Sequence, residues 1–177
     1  TNRKHNFPDA DLHMLCLEKI TLARKDIKEF EKYGYDIHRL KKLKGQCDRF
    51  RDLPDDHELV GDQMIMTDKK YATSETLKSA IRSLMTRVAM KYNNRTGRYR
   101  KFGTSKMGDM TDAQLIFCGR RVIRVARQQL DFLADAGVNE NILNRIQKAN
   151  QEFEKTVNIQ QDRVAERDIS VERRIEF

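Results

Sequence analysis

Residues 7–50 read FPDADLHMLCLEKITLARKDIKEFEKYGYDIHRLKKLKGQCDRF, and residues 110–153 read MTDAQLIFCGRRVIRVARQQLDFLADAGVNENILNRIQKANQEF. The two stretches align without gaps at an offset of 103, with nine identities in 44 positions. The identical pairs fall mainly on helix starts, apolar positions and a turn glycine: Asp9/Asp112, Ala10/Ala113, Leu12/Leu115, Ile20/Ile123, Ala23/Ala126, Arg24/Arg127, Gly34/Gly137, Leu40/Leu143 and Phe50/Phe153. Because repeated supersecondary elements gain stability by stacking on each other, the sequence predicts two tandem units.

The apolar spacing within each copy is that of an amphipathic helical hairpin. A first stripe recurs every three or four residues and predicts a helix from about Asp9 to Tyr33: Leu12, Cys16, Ile20, Ala23, Ile27 and Phe30. Gly34 is suited to end that helix in the left-handed conformation, and Asp36 is suited to cap the next one. In the second copy Gly137 and Asn139 repeat the turn, and Thr111 with Gln114 forms a capping-box pattern at the helix start.

A third helix is expected in each unit. In the first unit its stripe is strong from Leu77 to Tyr92 and weaker from Leu59 to Met66, with a bend expected near residues 72–74. In the second unit the matching segment begins and then the sequence ends at Phe177, so that unit looks incomplete. We therefore predict an all-α, elongated helical bundle of two tandem three-helix units, comprising residues 1–95, a basic linker at 96–109 and residues 110–177.

Composition restricts the class of protein. Hydrophobic residues make up 38% of the chain, and no apolar run approaches the ~20 residues that a membrane-spanning helix needs. We therefore expect no membrane insertion. The three cysteines are an odd number without close spacing, which indicates small buried side chains in a reducing compartment, and the expected location is cytoplasmic.

The net charge of +8 is concentrated near the junction of the two units. No acidic residue lies between Glu75 and Asp109, whereas that stretch holds nine Lys and Arg residues. Cations interleaved with aromatic rings are suited to RNA or single-stranded DNA. The candidate nucleic-acid or anion-binding residues lie in the basic segment around 87–106 and in a cationic helical row: Arg95, Arg98, Tyr99, Arg100, Lys101, Phe102, Lys106, Arg120, Arg124 and Arg127. The alternative is that this segment folds back on the protein, with Tyr99 and Phe102 packed beneath it.

The helix expected at 111–136 is apolar over a wider arc than its counterpart in the first unit. Such helices usually pack on more than one side. Together with the open end of the second unit, this arc predicts an interaction face that favours self-association: Phe117, Val122, Val125, Phe132, Ile175 and Phe177.

Residue patterns for catalysis or metal binding are weak. His13, Cys16 and Cys47 are plausible neighbours, but no fourth zinc ligand can be named. The glycines match no phosphate-binding loop, and no nucleophile has an identifiable base. We therefore expect a non-catalytic scaffold or protein-interaction module that binds a protein partner or itself, without a metal, cofactor or small-molecule substrate. The alternative is a nucleic-acid-binding protein; a weaker third option is a helical-bundle enzyme or metal carrier.

Overall fold

The computed structural model describes residues 8–176, and the side-chain surroundings of residues 8–55 and 57–169. Every regular element in this part of the chain is helical, as predicted. The α-helices are α1 (Asp9–Lys25), α2 (Ile27–Glu31), α3 (Ile37–Arg51), α4 (Asp56–Lys91), α5 (Gly97–Arg100), α6 (Asp112–Gln128), α7 (Leu130–Leu133) and α8 (Glu140–Glu176), with 3₁₀ turns at Met107–Asp109 and Ala134–Ala136. None of the helices in the described region is long and apolar enough to cross a bilayer.

The chain divides into two compact units, and the boundaries fall inside helices. Unit 2 is Gly61–Val164, and unit 1 comprises the described residues of 1–60 and 165–177. These boundaries differ from the expected division at 95 and 110. The physical reason is that the apolar stripe of α4, from Leu77 to Val88, packs in one cluster with α6 and α8.

Unit 2 holds the larger core. Its fully buried side chains come from α4, α6, α8 and the segments between them, and include Leu77, Ile81, Leu84, Val88, Phe102, Leu115, Val122, Leu133, Leu143, Ile146 and Phe153. A salt bridge of 2.9 Å from Lys70 to Asp112 joins α4 to the start of α6. Lys91 pairs with Asp135, and Arg87 donates to the Ala136 carbonyl, so the end of α4 is tied to the turn between α7 and α8.

Unit 1 is a smaller helical hairpin. Helices α1 and α3 pack against each other, and the buried side chains at their interface are Ile20, Ala23, Leu40 and Cys47. The Asp36 carboxylate accepts a 2.8 Å hydrogen bond from the Arg39 backbone amide and caps α3, as its position after Gly34 predicts.

The predicted turn and cap residues have the expected local geometry. Gly34 and Gly137 both adopt left-handed backbone conformations, with φ of 80° and 78°. Thr111 and Gln114 form the reciprocal hydrogen bonds of a capping box at the start of α6. These features depend on residues within one turn of each other, which is why they can be recognised from sequence.

Helix lengths differ from the predicted ones. The helix expected at 9–33 is interrupted at Asp26, where ψ is 30°, and the one at 111–136 is interrupted at Gln129, where ψ is 14°. Helix α4 is continuous from Asp56 to Lys91. In unit 1, Pro54 separates α3 from α4, whereas α8 has no such break and runs from Glu140 to Glu176.

The segment expected to be a basic linker is a folded part of unit 2. Thr96 caps α5 by accepting from the Tyr99 backbone amide, and Phe102 and Met107 are buried in the core at 0% and 7% exposure. The aromatic and thioether side chains are removed from water while the neighbouring cations stay outside. The alternative considered from sequence, in which this segment packs on the protein, therefore describes Phe102 correctly.

Candidate functional site

Tyr99 lies at the centre of a polar, cationic surface in unit 2. Its ring is half-buried against the core, and Phe102 anchors the segment one turn later. Gly103 then adopts a φ of 66°, which a side chain would disfavour, and its missing side chain leaves room for the Arg121 guanidinium. This turn presents Thr104 and Ser105 beside Tyr99.

Two open cavities lie on this surface and share Tyr99, Thr104 and Ser105. The first, which we call the Arg95–Arg100 cavity, has a volume of about 650 Å³ and is lined by Asn94, Arg95, Tyr99, Arg100, Gly103, Thr104 and Ser105. The second has about 600 Å³ and extends to α4, where Arg82 is among its lining residues. No carboxylate of the described residues lines either cavity, so both are electrostatically suited to an anion.

The cations of the Arg95–Arg100 cavity have no partner within the part of the chain that the structure describes. Neither guanidinium makes an ion pair or hydrogen bond with any residue that the structure describes, and both residues are exposed. The hydroxyl groups of Thr104 and Ser105 likewise have no hydrogen-bond partner among those residues. Two guanidinium groups and two hydroxyls therefore offer unused hydrogen-bond donors to one space.

Arg82, in the second cavity, differs because it has an acidic neighbour. Its guanidinium lies 3.5 Å from a Glu75 carboxylate oxygen, and Lys78 lies 3.2 Å from the other. The hydrogen bond from Lys78 holds the pKa of Glu75 below its usual range, with Arg82 adding to the effect. Because Glu75 stays ionised near neutral pH, the second cavity has less free positive charge than the first.

Five of the predicted anion-binding residues are used elsewhere in unit 2. Arg98 lies between the rings of Tyr92 and Phe132, at 5.4 and 5.0 Å from their centres. Lys101 donates to Gln128, Arg120 forms a 2.8 Å salt bridge with Glu154, and Arg127 lies 3.4 Å from Glu140. Phe102 is fully buried and cannot stack on a base, so that part of the prediction is wrong.

Arg95, Tyr99, Arg100, Lys106 and Arg124 remain available at the surface. The first three line one cavity, whereas Lys106 and Arg124 do not. Four lining residues were not predicted as site residues from the sequence: Asn94, Thr104, Ser105 and Arg82. A Gly-Thr-Ser turn directly after an arginine-rich stretch is the signal that could have identified the two hydroxyls, because such residues are common where the chain turns and exposes polar groups.

The predicted interaction face on α6 is only partly exposed. Val122 and Val125 lie in the core at 0% and 3% exposure, so their assignment to a partner face was wrong. The wide apolar arc of α6 is covered within unit 2, by α4, α8 and the segment holding Phe102. Phe117 is exposed, and Phe132 is exposed but contacts Arg98. Phe177 and the side chain of Ile175 lie outside the described part of the chain.

A different apolar face is open in unit 1. Four apolar side chains of unit 1 are between 40% and 52% exposed, and we refer to them together as the unit 1 apolar face: Leu22, Phe30, Tyr35 and Leu43. The residues 103 positions further along are Val125, Leu133, Val138 and Ile146, and none of those is more than 3% exposed. In unit 2 these positions belong to a single core cluster with the stripe of α4, whereas in unit 1 the corresponding positions face solvent.

Two thiols and one histidine of unit 1 lie on the packed helices α1 and α3: Cys16, Cys47 and His13. Burial, together with the neighbouring Cys16 thiol, raises the pKa of Cys47, and His13 has a buried Nε2 without a hydrogen-bond partner. In the described part of the chain, no group of three His, Cys, Asp or Glu residues is arranged to hold a metal ion.

Comparison with known proteins does not assign this chain to a family. No protein-family model, curated protein sequence or solved structure matches this chain. The functional assignment must therefore come from the surfaces themselves.

Proposed function

We propose that α1–α3 and the corresponding segment α6–α8 are copies of one repeated helical hairpin. Helices α1 and α6 each have 17 residues. The first residue of α6 lies 103 positions after the first residue of α1, and the same interval separates their last residues. The interruptions at Asp26 and Gln129, and the left-handed Gly34 and Gly137, are separated by the same interval. Equivalent positions in the two hairpins can then be compared directly.

On this basis, the protein is a non-catalytic helical scaffold that binds another protein chain through the unit 1 apolar face. The first partner that we propose is a second copy of the same chain. The observation that carries the proposal is the contrast in burial between this face and its equivalent in unit 2. Exposed apolar surface of this kind is typical of protein–protein contact sites. In unit 2 the covering element is an amphipathic helix, which is also a common ligand of apolar grooves.

The size of the effect follows from the exposure. Full burial of a Leu or Phe side chain contributes about 1.5–3 kcal/mol, so a side chain that is already half-buried has about 1 kcal/mol left to gain. Replacing two such residues by lysine removes about 2 kcal/mol of binding and adds the cost of burying two charges. The dissociation constant should rise more than tenfold.

Sedimentation velocity over a wide concentration range tests self-association. The wild-type chain should form a larger species as its concentration rises, and Leu22→Lys/Leu43→Lys should remain monomeric. A matched control is Met64→Lys/Met90→Lys, which replaces two methionines of α4 that are 64% and 75% exposed and lie outside the face. Loss of assembly in the control to the same extent would contradict a role for this face.

A labelled peptide of residues 74–92 tests whether the face accepts a helix from another protein. This peptide carries the α4 stripe that covers the equivalent positions in unit 2. It should bind the wild-type chain and the control, but not Leu22→Lys/Leu43→Lys. If the chain neither self-associates nor binds the peptide, the scaffold proposal is wrong.

A cytoplasmic location is part of the same proposal. It is supported by the three cysteines, which are all free in the structure, with Cys47 and Cys118 buried. Immunofluorescence of the tagged protein in its native cell tests it.

A further inference from the structure

We propose that the Arg95–Arg100 cavity is a binding site for a phosphate group. The proposal is independent of the unit 1 apolar face, because every residue that carries it belongs to unit 2. The ligand chemistry is a phosphodiester of single-stranded nucleic acid or a phosphomonoester of a small molecule, which present the same oxygens to the cavity.

Charge is the first support. Arginine is suited to phosphate because its planar guanidinium donates two parallel hydrogen bonds and always carries its charge. The guanidinium groups of Arg95 and Arg100 have no partner among the described residues, unlike those of Arg98, Arg120 and Arg127 nearby in sequence. A bound phosphate would supply the missing counter-charge to both.

The hydroxyls and the ring are the second support. Thr104 and Ser105 line both cavities, and their hydroxyl groups make no hydrogen bond with any described residue, so these O–H groups are free to donate to phosphate oxygens. The Tyr99 ring borders the same space and offers an apolar surface against which a base or sugar can stack. An acidic peptide would form ion pairs with the arginines, but its carboxylates would not stack on this ring.

Rigidity is the third support. Phe102 is fully buried between Arg100 and the Thr104–Ser105 turn, and Thr96 caps the short helix that carries Tyr99. The backbone of this segment is thus packed before any ligand arrives, which lowers the entropic cost of binding.

Fluorescence anisotropy with a labelled single-stranded oligothymidylate, over a series of salt concentrations, is the first experiment. Arg95→Gln/Arg100→Gln should weaken binding at low salt by about tenfold or more. It should also reduce the slope of log affinity against log salt by about 0.7, which is the contribution of one lost phosphate contact with a single strand. Thr104→Val/Ser105→Ala should weaken binding with little change in slope, because it removes donors without changing charge.

Arg145→Gln/Lys155→Gln is the matched control. It removes the same charge from two exposed unit 2 residues outside the cavity. Its slope should stay close to that of the wild type. An equal loss of affinity and slope in the control would mean that only net charge matters, and would overturn the proposal. Melting curves by circular dichroism should show that all variants fold.

Isothermal titration with inorganic phosphate and with a nucleoside monophosphate separates the two sources. If either compound binds the wild type and Arg95→Gln/Arg100→Gln abolishes that binding, the ligand is a small phosphorylated molecule. Binding of the oligonucleotide alone identifies a nucleic acid. Equal competition by polyglutamate, or no binding of any of these phosphates at low salt, would show that the cavity is not a phosphate site.

Discussion

Gly119, in the middle of α6, marks a close approach of two helices in unit 2. A Cβ atom built on it would lie 2.8 Å from Cγ and 3.4 Å from Cβ of Asn150, on α8. The first distance is too short for a carbon contact, and Asn150 is only 3% exposed, so its side chain has little room to move away. We therefore expect Gly119→Ala to force α6 and α8 apart locally.

The magnitude is the balance of two opposing terms. Alanine favours a helix over glycine by about 0.8–1 kcal/mol, whereas overpacking a close-packed interior costs about 1–3 kcal/mol. Gly119→Ala should thus lower the free energy of unfolding by roughly 1 kcal/mol. The matched control is Gly61→Ala, in α4 of the same unit, where nothing lies within 4 Å of the new Cβ. That variant should raise the free energy of unfolding by up to about 1 kcal/mol.

Urea unfolding followed by far-UV circular dichroism gives the two free energies, and amide hydrogen exchange in α6 and α8 reports unit 2 by itself. In the double variant Gly119→Ala/Asn150→Ala the clashing Cγ is absent, so much of the stability lost in Gly119→Ala should return. If Gly119→Ala stabilises the protein as much as Gly61→Ala does, the close approach of α6 and α8 is wrong.

Three further measurements test the fold. Phe102→Ala should cost about 3–5 kcal/mol in urea unfolding, because the ring is fully buried; a cost typical of a surface residue would mean that the 96–109 segment is not packed. The hydrogen bond from Lys91 holds the pKa of Asp135 below its ordinary value of 3.8, and Lys78 does the same for Glu75 below 4.5. Carboxyl groups with lowered pKa values stabilise the folded state above those ordinary values, and this stability is lost as the pH falls through the folded-state pKa. The urea concentration at the unfolding midpoint should therefore decrease as the pH falls below about 4.5. Asp135→Asn should make this decrease smaller, whereas Asp131→Asn should not. Burial raises the pKa of the Cys118 thiol, and burial with the neighbouring Cys16 raises that of Cys47. Near neutral pH, iodoacetamide should therefore modify both more slowly in the folded than in the unfolded chain by mass spectrometry, and equal rates would contradict their burial.

Features that depend on neighbouring residues could be predicted from the sequence. The left-handed Gly34 and Gly137, the Asp36 cap and the Thr111–Gln114 capping box each involve residues within a few positions of one another. The helical class followed from spacing alone. The interruptions at Asp26 and Gln129 were not predicted, because neither residue is a helix breaker by type.

Features that depend on distant residues could not be predicted. Arg120 carries the same charge as Arg95, and only the packing of α6 on α8 brings Glu154 within 2.8 Å of it. Val122 is apolar by type, and only the positions of α4 and the Phe102 segment place it in the core. A list of cations or apolar residues therefore contains both functional and structural members, and tertiary contacts separate them.

The two hairpins are similar in sequence, and we propose that they differ in function because their apolar stripes are buried to different extents. An apolar stripe indicates that another element covers a helix, but it does not identify that element. In unit 2 the stripe lies in one core cluster with α4, and it contributes to folding. In unit 1 Leu22, Phe30, Tyr35 and Leu43 carry equivalent apolar side chains that remain about half exposed, so their burial is still available to drive association. One repeated pattern can therefore supply a stable core in one copy and a binding face in the other, and Leu22→Lys/Leu43→Lys separates these roles because it should abolish association while unit 2 remains folded.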